Sequence, residues 1–114
     1  MYQIDLNSDM GESYGSFKVG NDQVLLDYVT SANIACGWHA GDPMVMDRVV
    51  SMAKEKGVAC GAHPGSPDLM GFGRRFMDLK PAEVKNYVKY QIGALKAFTD
   101  SYGVKLGHVI PHGY

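Results

Sequence analysis

Segments 35–43 and 59–67 carry the same skeleton, A-C-G-x-H-x-G-x-P, and the stretch between them is long enough for a single helix. Each reads as a strand of small apolar residues that runs out into a glycine, a histidine, a second glycine and a proline. In the first, the strand gives way to Trp38 and His39; Asp42 then supplies an N-cap and Pro43 the first helical turn. A strand that hands over to a polar loop, and the loop to a helix, is how α/β proteins expose reactive groups. Two such units in succession deliver His39 and His63 to the same end of a parallel sheet. No other feature of the chain constrains its fold as much.

The order of the remaining elements agrees. Residues 2–6 read as a short strand ending on Asn7, Asp9 and Glu12, and 22–29 as a helix capped by Asn21, with Val24, Leu25, Tyr28 and Val29 on its apolar side. Residues 31–36 form the second strand. The helix 43–56 follows, with Val45, Met46, Val49, Val50 and Ala53 on one face and Gly57 as its stop. The third strand is 58–62, and a long loop, 63–77, contains G-F-G-R-R at 71–75. Pro81 opens the longest helix, 81–102, with Glu83 in its first turn behind the poor cap Lys80. Val84, Tyr87, Val88, Gln91, Leu95, Phe98 and Tyr102 lie along its buried side. A fourth strand, 104–110, leads into P-H-G-Y.

This β-α-β-α-β-α-β alternation implies an α/β fold with a parallel sheet and right-handed crossovers. The phosphate loop G-x-G-x-x-G is missing after the first strand, and every strand ends on a polar group. Both facts favour the first half of a (β/α) barrel over an open sheet. A whole barrel takes ~250 residues, so residues 1–114 are expected to form a single incomplete domain. Its unpaired sheet edges invite self-association.

With 114 residues, 46% of them hydrophobic, the chain can bury one core. A net charge of −1 gives it no electrostatic reason to seek nucleic acid or an anionic membrane. It holds no apolar run of ~18 residues, and its first residues lack the basic and apolar regions of a secretory signal. The expectation is a cytoplasmic protein with no membrane or nucleic-acid partner, in which Cys36 and Cys60 are reduced thiols.

Parallel strands gather Asp9, Glu12, His39, His63 and His112 at one rim. Carboxylates with imidazoles suit a divalent metal, and they equally suit metal-free acid–base hydrolysis of a small-molecule substrate. Cys36, His39, Cys60 and His63 also have the composition of a structural zinc site. Against that, residues three apart on an extended segment face opposite ways, and a strand cysteine is more often a small buried hydrophobe. Of Arg74 and Arg75, one is expected to reach the rim and bind a carboxylate or phosphate, the other to be solvated. Trp38 either walls a pocket or packs on the second helix. His108, inside the fourth strand, reads as structural.

D-L-N-S-D-M-G-E at 5–12, S-A-N-I-A-C-G-W-H-A-G-D-P at 31–43, G-A-H-P-G-S-P-D-L-x-G-F-G-R-R at 61–75, Y-Q-I-G-A-L at 90–95 and H-V-I-P-H-G-Y at 108–114 together resemble the LamB/YcsF family along the whole chain. The resemblance implies an irregular (β/α) barrel related to metal-dependent polysaccharide deacetylases. It implies ATP-dependent opening of the 5-oxoproline lactam to glutamate, carried out with partner subunits B and C. The family's polar rim corresponds here to Asn7, Asp9, Glu12, His39, His63, Arg74 and His112. On that basis Asp9, His39 and His63 are the expected metal ligands. Asp9, Glu12, His63 and His112 are the expected catalytic groups, and Asn7, His39 and Arg74 the substrate contacts. Two departures stand out: Ile110 replaces the family's usual Lys before Pro-His-Gly, and the family continues for about as many residues again. A metal-dependent amide hydrolase of the deacetylase kind, and a non-catalytic assembly fragment, are the competing expectations.

Overall fold

In a computed structural model, which describes residues 2–113, four strands alternate with three helices. The strands are β1 (Asn7–Met10), β2 (Ser31–Ala35), β3 (Ala59–His63) and β4 (Leu106–Val109), and the helices are α1 (Asp22–Leu25), α2 (Pro43–Lys56) and α3 (Pro81–Ser101). All strand pairs are parallel, in the spatial order β1-β2-β3-β4. The expected parallel α/β alternation is therefore the observed one.

Strand side chains alternate between two faces. Met10, Ala32, Ile34, Cys60 and Ala62 form the apolar face, and α2 closes over it with Val45, Met46, Val49, Val50 and Ala53. Leu95 adds the contribution of α3. Asp42 caps α2, accepting the Val45 N–H at 2.9 Å, and Gly57 ends it. Lys80 offers α3 no side-chain acceptor of the usual kind. Instead Glu83 reaches back to the Lys80 N–H at 3.3 Å, behind Pro81.

Several expected boundaries move. Residues 2–6 are not a strand: Tyr2, Ile4 and Leu6 are exposed, and the segment is tied to the start of β2 by the Leu6 carbonyl, bonded to the Thr30 and Ser31 amides, and by the Asp5 carboxylate, which accepts from the Thr30 and Ser31 hydroxyls. Their alternation suits a strand, but no apolar surface faces them. β1 starts at Asn7 instead, so Asn7 and Asp9 lie within the sheet and not beyond it. α1 is a single turn whose following residue, Leu26, is buried while Val24 and Tyr28 are exposed. β2 stops at Ala35, β3 runs on through His63, and β4 is confined to Leu106–Val109.

Among the described residues the outer edges of β1 and β4 pair with nothing, and Ile4, Leu6, Val109 and Ile110 are exposed near them. No helix of the described residues is long and apolar enough to cross a membrane.

Candidate functional site

The face of the sheet opposite the helices is polar. Register lines up Asp9, Asn33, Gly61 and His108 as one row across all four strands. Asn33, 1% exposed, is its centre: its Oδ1 accepts from His108 Nε2 at 2.7 Å, and its Nδ2 donates to Asp9 Oδ1 at 3.1 Å and to Asn7 Oδ1 at 2.9 Å. His108 spans the width of a strand to do this because Gly61 has no side chain. A Cβ at Gly61 would come closer than 3.0 Å to three atoms of the His108 ring. An irregularity in the β3–β4 register skips Gly107, so that Leu106 pairs with Cys60 and His108 with Gly61. That extra residue is what turns His108 away from the apolar face. Its structural role, expected from its place inside the strand, is to orient the Asn33 amide.

At the C-terminal end of this face four side chains converge. Glu12 follows β1, His39 lies in the turn after β2, His63 closes β3 and His112 follows β4; one donor atom from each lies within 4.8 Å of the others. The parallel sheet thus brings together the acid and the three imidazoles that the sequence assigns to strand exits. The A-C-G-x-H repeat is not a repeat in space, however. Ala35 pairs with His63, so His63 belongs to its strand while His39 lies beyond its own, in a turn closed by the Gly37 N–H on the Ala40 carbonyl.

The rings are packed tightly. His39 and His112 stack at 3.8 Å between centroids, and His63 stands edge-on to both at 5.1 Å. His39 is fully buried; Gly65 and Gly73 leave the room it takes, since a Cβ on either would fall within 2.5–2.6 Å of it. His39 Nε2 contacts Glu12 Oε2 at 2.9 Å, and its Nδ1 is buried with no hydrogen-bond partner among the described residues.

Backbone carbonyls fix the tautomers of the other two histidines. His63 Nδ1 donates to the Ile110 carbonyl at 2.6 Å, and His112 Nε2 donates to the Phe72 carbonyl at 2.7 Å. The remaining nitrogens, His63 Nε2 and His112 Nδ1, are 3.2 Å apart, with Asp9 Oδ2 at 3.4 Å and Glu12 Oε2 at 4.0 Å from His63 Nε2.

The surrounding loops are held from below. Gln91 on α3, fully buried, bonds both the N–H (2.9 Å) and the carbonyl (2.8 Å) of Gly65. Asp22 accepts the Gly11 N–H at 3.1 Å, and Asp42 accepts the Gly15 N–H at 2.7 Å, fixing the chain on either side of Glu12. Burial raises the Asp22 carboxyl above its ordinary range, whereas the Gly15 and Val45 amides lower that of Asp42. Phe72 adopts a left-handed φ of 55°, which costs a residue with a side chain ~1–2 kcal/mol. In exchange its carbonyl points at His112 and its ring lies edge-on to His112 and His39.

Arg74 is exposed, its guanidinium 5.2 Å from the Phe72 ring centroid, outside the imidazole cluster. Arg75 is not merely solvated: it grips Asp68 through Nε (2.9 Å) and Nη2, and lowers that carboxyl. Trp38 packs on Tyr87 and Tyr90 of α3, at 4.7 and 5.5 Å between ring centroids. Asn7, two residues before Asp9 on β1, is exposed and accepts from Asn33. Cys36 and Cys60 are buried and are not among the converging donor groups, and desolvation pushes their thiols up to about 12 and about 11. They behave as the small hydrophobes expected.

Asn33, Phe72 and Gln91 belong to the site although sequence reasoning does not place them there. Asn33 carries one signal, a lone amide in a strand of small apolar residues. Phe72 carries another, an aromatic residue between two glycines.

The LamB/YcsF family model matches residues 4–114. Over 97% of its length the chain is 64% identical to a Pyrococcus abyssi protein named as the A subunit of 5-oxoprolinase. It is also 64% identical, over 99% of its length, to the Alkaliphilus metalliredigens protein of that name. In each case the chain spans 44% of the relative. A crystal structure of a lactam utilization protein from Thermus thermophilus superimposes with a TM-score of 0.96 at 55% identity, over 98% of this chain and 45% of that one.

Proposed function

Because the chain belongs to the LamB/YcsF family, we propose that its histidine–carboxylate rim takes part in hydrolytic opening of the 5-oxoproline lactam to glutamate. In this reading it acts as the N-terminal share of the 5-oxoprolinase A subunit, with ATP as co-substrate handled by partner subunits B and C. The relatives' names support the reaction class. The observation that carries the proposal for these residues is the convergence of Glu12, His39, His63 and His112 at one strand-end rim, with Asp9 beside His63.

Lactam hydrolysis adds water across a C–N bond, so it needs a group that takes a proton from water and one that gives a proton to the departing nitrogen. In this reading Glu12 and Asp9 accept protons, and the His63–His112 pair carries one across the rim. Arg74, exposed beside Phe72 and outside the imidazole cluster, is assigned in this reading to the substrate carboxylate or the phosphate of an activated lactam. His39 and Asn7 act in this scheme by holding Glu12 and the Asp9–Asn33 pair, and so shape the substrate side of the rim.

The test is release of glutamate from 5-oxoproline and ATP, with subunits B and C added to this chain or to a full-length relative. His63→Ala in the full-length relative is expected to lower turnover at least ~100-fold, the lower end for loss of an acid–base group. Unchanged turnover removes the assigned site.

A further inference from the structure

The hydrogen bonds around His63 and His112 leave a problem of charge. A carbonyl oxygen accepts only, so His63 must carry its proton on Nδ1 to bond Ile110, and His112 must carry its own on Nε2 to bond Phe72. The lone pairs of His63 Nε2 and His112 Nδ1 then face each other across 3.2 Å, with carboxylate oxygens of Asp9 and Glu12 at 3.4 and 4.0 Å from the first. Four acceptors point at one small volume, and the one ring nitrogen beside them among the described residues, His39 Nε2, is turned to Glu12 Oε2 and does not separate the His63 and His112 lone pairs. His63 and His112 are 3% and 4% exposed, so bulk water does not relieve the repulsion. Something positive belongs there.

We propose that the rim is a binding site for one borderline divalent transition-metal ion of the Zn2+ class, held by His63 Nε2, His112 Nδ1, His39 Nε2 and the Glu12 carboxylate. The donor set of three imidazoles and one carboxylate suits such an ion and not Mg2+ or Ca2+, which prefer all-oxygen surroundings. Tetrahedral Zn2+ places its ligand atoms roughly 3.3–3.4 Å from one another. The observed separations of 2.9, 3.2 and 4.0 Å bracket that value, and all four atoms lie within 4.8 Å.

Two of the three imidazoles already have an outer partner. The Ile110 and Phe72 carbonyls hold two rings by their far nitrogens, the arrangement that fixes ring orientation at metal sites. The left-handed φ of Phe72 acquires a purpose, since it aims one of those carbonyls. Asp9 lies at the margin, with one oxygen on Asn33 and the other near His63. The set shares His39 and His63 with the ligands expected from the sequence, and replaces Asp9 with Glu12 and His112. When bound, an ion of this class would polarise a carbonyl or activate a water; Glu12, His63 and His112 would then serve as its ligands, and proton acceptance at the rim would fall to Asp9.

The site is inferred from geometry and does not depend on the lactam reading, so binding is measured without substrate. The chain is stripped with chelator, dialysed, and titrated calorimetrically with Zn2+ and, in parallel, Mg2+; Co2+ is added to a further sample and its visible spectrum recorded. The expected result is one Zn2+ per chain, no saturable Mg2+ binding, and Co2+ absorption typical of a low-coordinate nitrogen–oxygen site. His112→Ala and the near-isosteric Glu12→Gln should each weaken Zn2+ binding by more than the ~10–100-fold that loss of an outer partner costs. Circular dichroism checks the fold, and Glu12→Gln carries the test where His112→Ala does not fold. Cys36→Ala and Cys60→Ala should leave affinity unchanged. Absence of saturable Zn2+ binding overturns the proposal and leaves a shared proton as what separates the two lone pairs. Binding that survives both ligand variants, or that is lost with the cysteines, overturns it as well.

Discussion

Gly61→Ala is the most informative single change in this fold, because only one methyl group is added and its neighbours are known. Gly61 has no backbone conformation reserved for glycine, so alanine fits the strand itself. The new Cβ would nevertheless lie closer than 3.0 Å to Nε2, Cδ2 and Cε1 of His108. Carbon atoms pack at about 3.5–4.0 Å, so the ring must withdraw by on the order of 1 Å or more. That stretches its 2.7 Å bond to Asn33 Oδ1 beyond hydrogen-bonding range. An unsatisfied acceptor on a residue 1% exposed costs about 1–3 kcal/mol, and residual overpacking about 1–3 kcal/mol. The smaller entropy of the unfolded alanine chain returns roughly 0.4–1 kcal/mol. The net expectation is destabilisation of about 3 kcal/mol.

The assay is urea unfolding of four proteins: parent, Gly61→Ala, His108→Ala and the double variant. His108→Ala alone should cost about 2 kcal/mol, for the lost bond. In the double variant the methyl group meets no ring, so the total should be about 1.5 kcal/mol, less than Gly61→Ala by itself. A double-mutant cycle then gives a coupling of about −3.5 kcal/mol. Additive costs, or a silent Gly61→Ala, would refute the claim that an empty Gly61 exists to let His108 reach Asn33.

The remaining predictions concern the thiols and the α2 cap. With burial raising Cys36 to about 12 and Cys60 to about 11, their thiolate fractions at pH 8 are roughly 10⁻⁴ and 10⁻³, so native protein should react with a disulfide reagent at least ~100-fold more slowly than urea-unfolded chain; equal rates would contradict the burial. Asp42→Ala should cost about 1–2 kcal/mol, measured by thermal or urea unfolding, while Asp42→Asn, still a good cap, should recover most of it. Because amides hold the Asp42 carboxyl below its ordinary 3.8 in the folded chain, its contribution is fully present above that value and fades as pH falls through the lowered one. The gap between parent and Asp42→Asn should therefore narrow in acid, and a gap that widens there would invert the sign of the argument.

Local periodicity and chain order made much of this protein legible. The apolar face of α2 and its stop at Gly57 follow from side-chain spacing and capping chemistry, which act within a few residues of each other. The gathering of Glu12, His39, His63 and His112 follows from parallel topology, because consecutive parallel strands all end on one side. What those signals do not carry is register, since register depends on which surface another segment offers. Tyr2, Ile4 and Leu6 alternate as a strand should, yet pairing begins at Asn7, where β2 supplies a partner. The skipped Gly107 puts His108 opposite Gly61 and turns it to the polar face, and no feature of residues 104–110 alone distinguishes that outcome from its opposite. The tautomers of His63 and His112 were likewise decided only in three dimensions, by carbonyls of Ile110 and Phe72 that nothing in the residue order sets beside them. Composition and spacing thus determined which chemical groups reach the rim, and tertiary packing decided which of their atoms face one another.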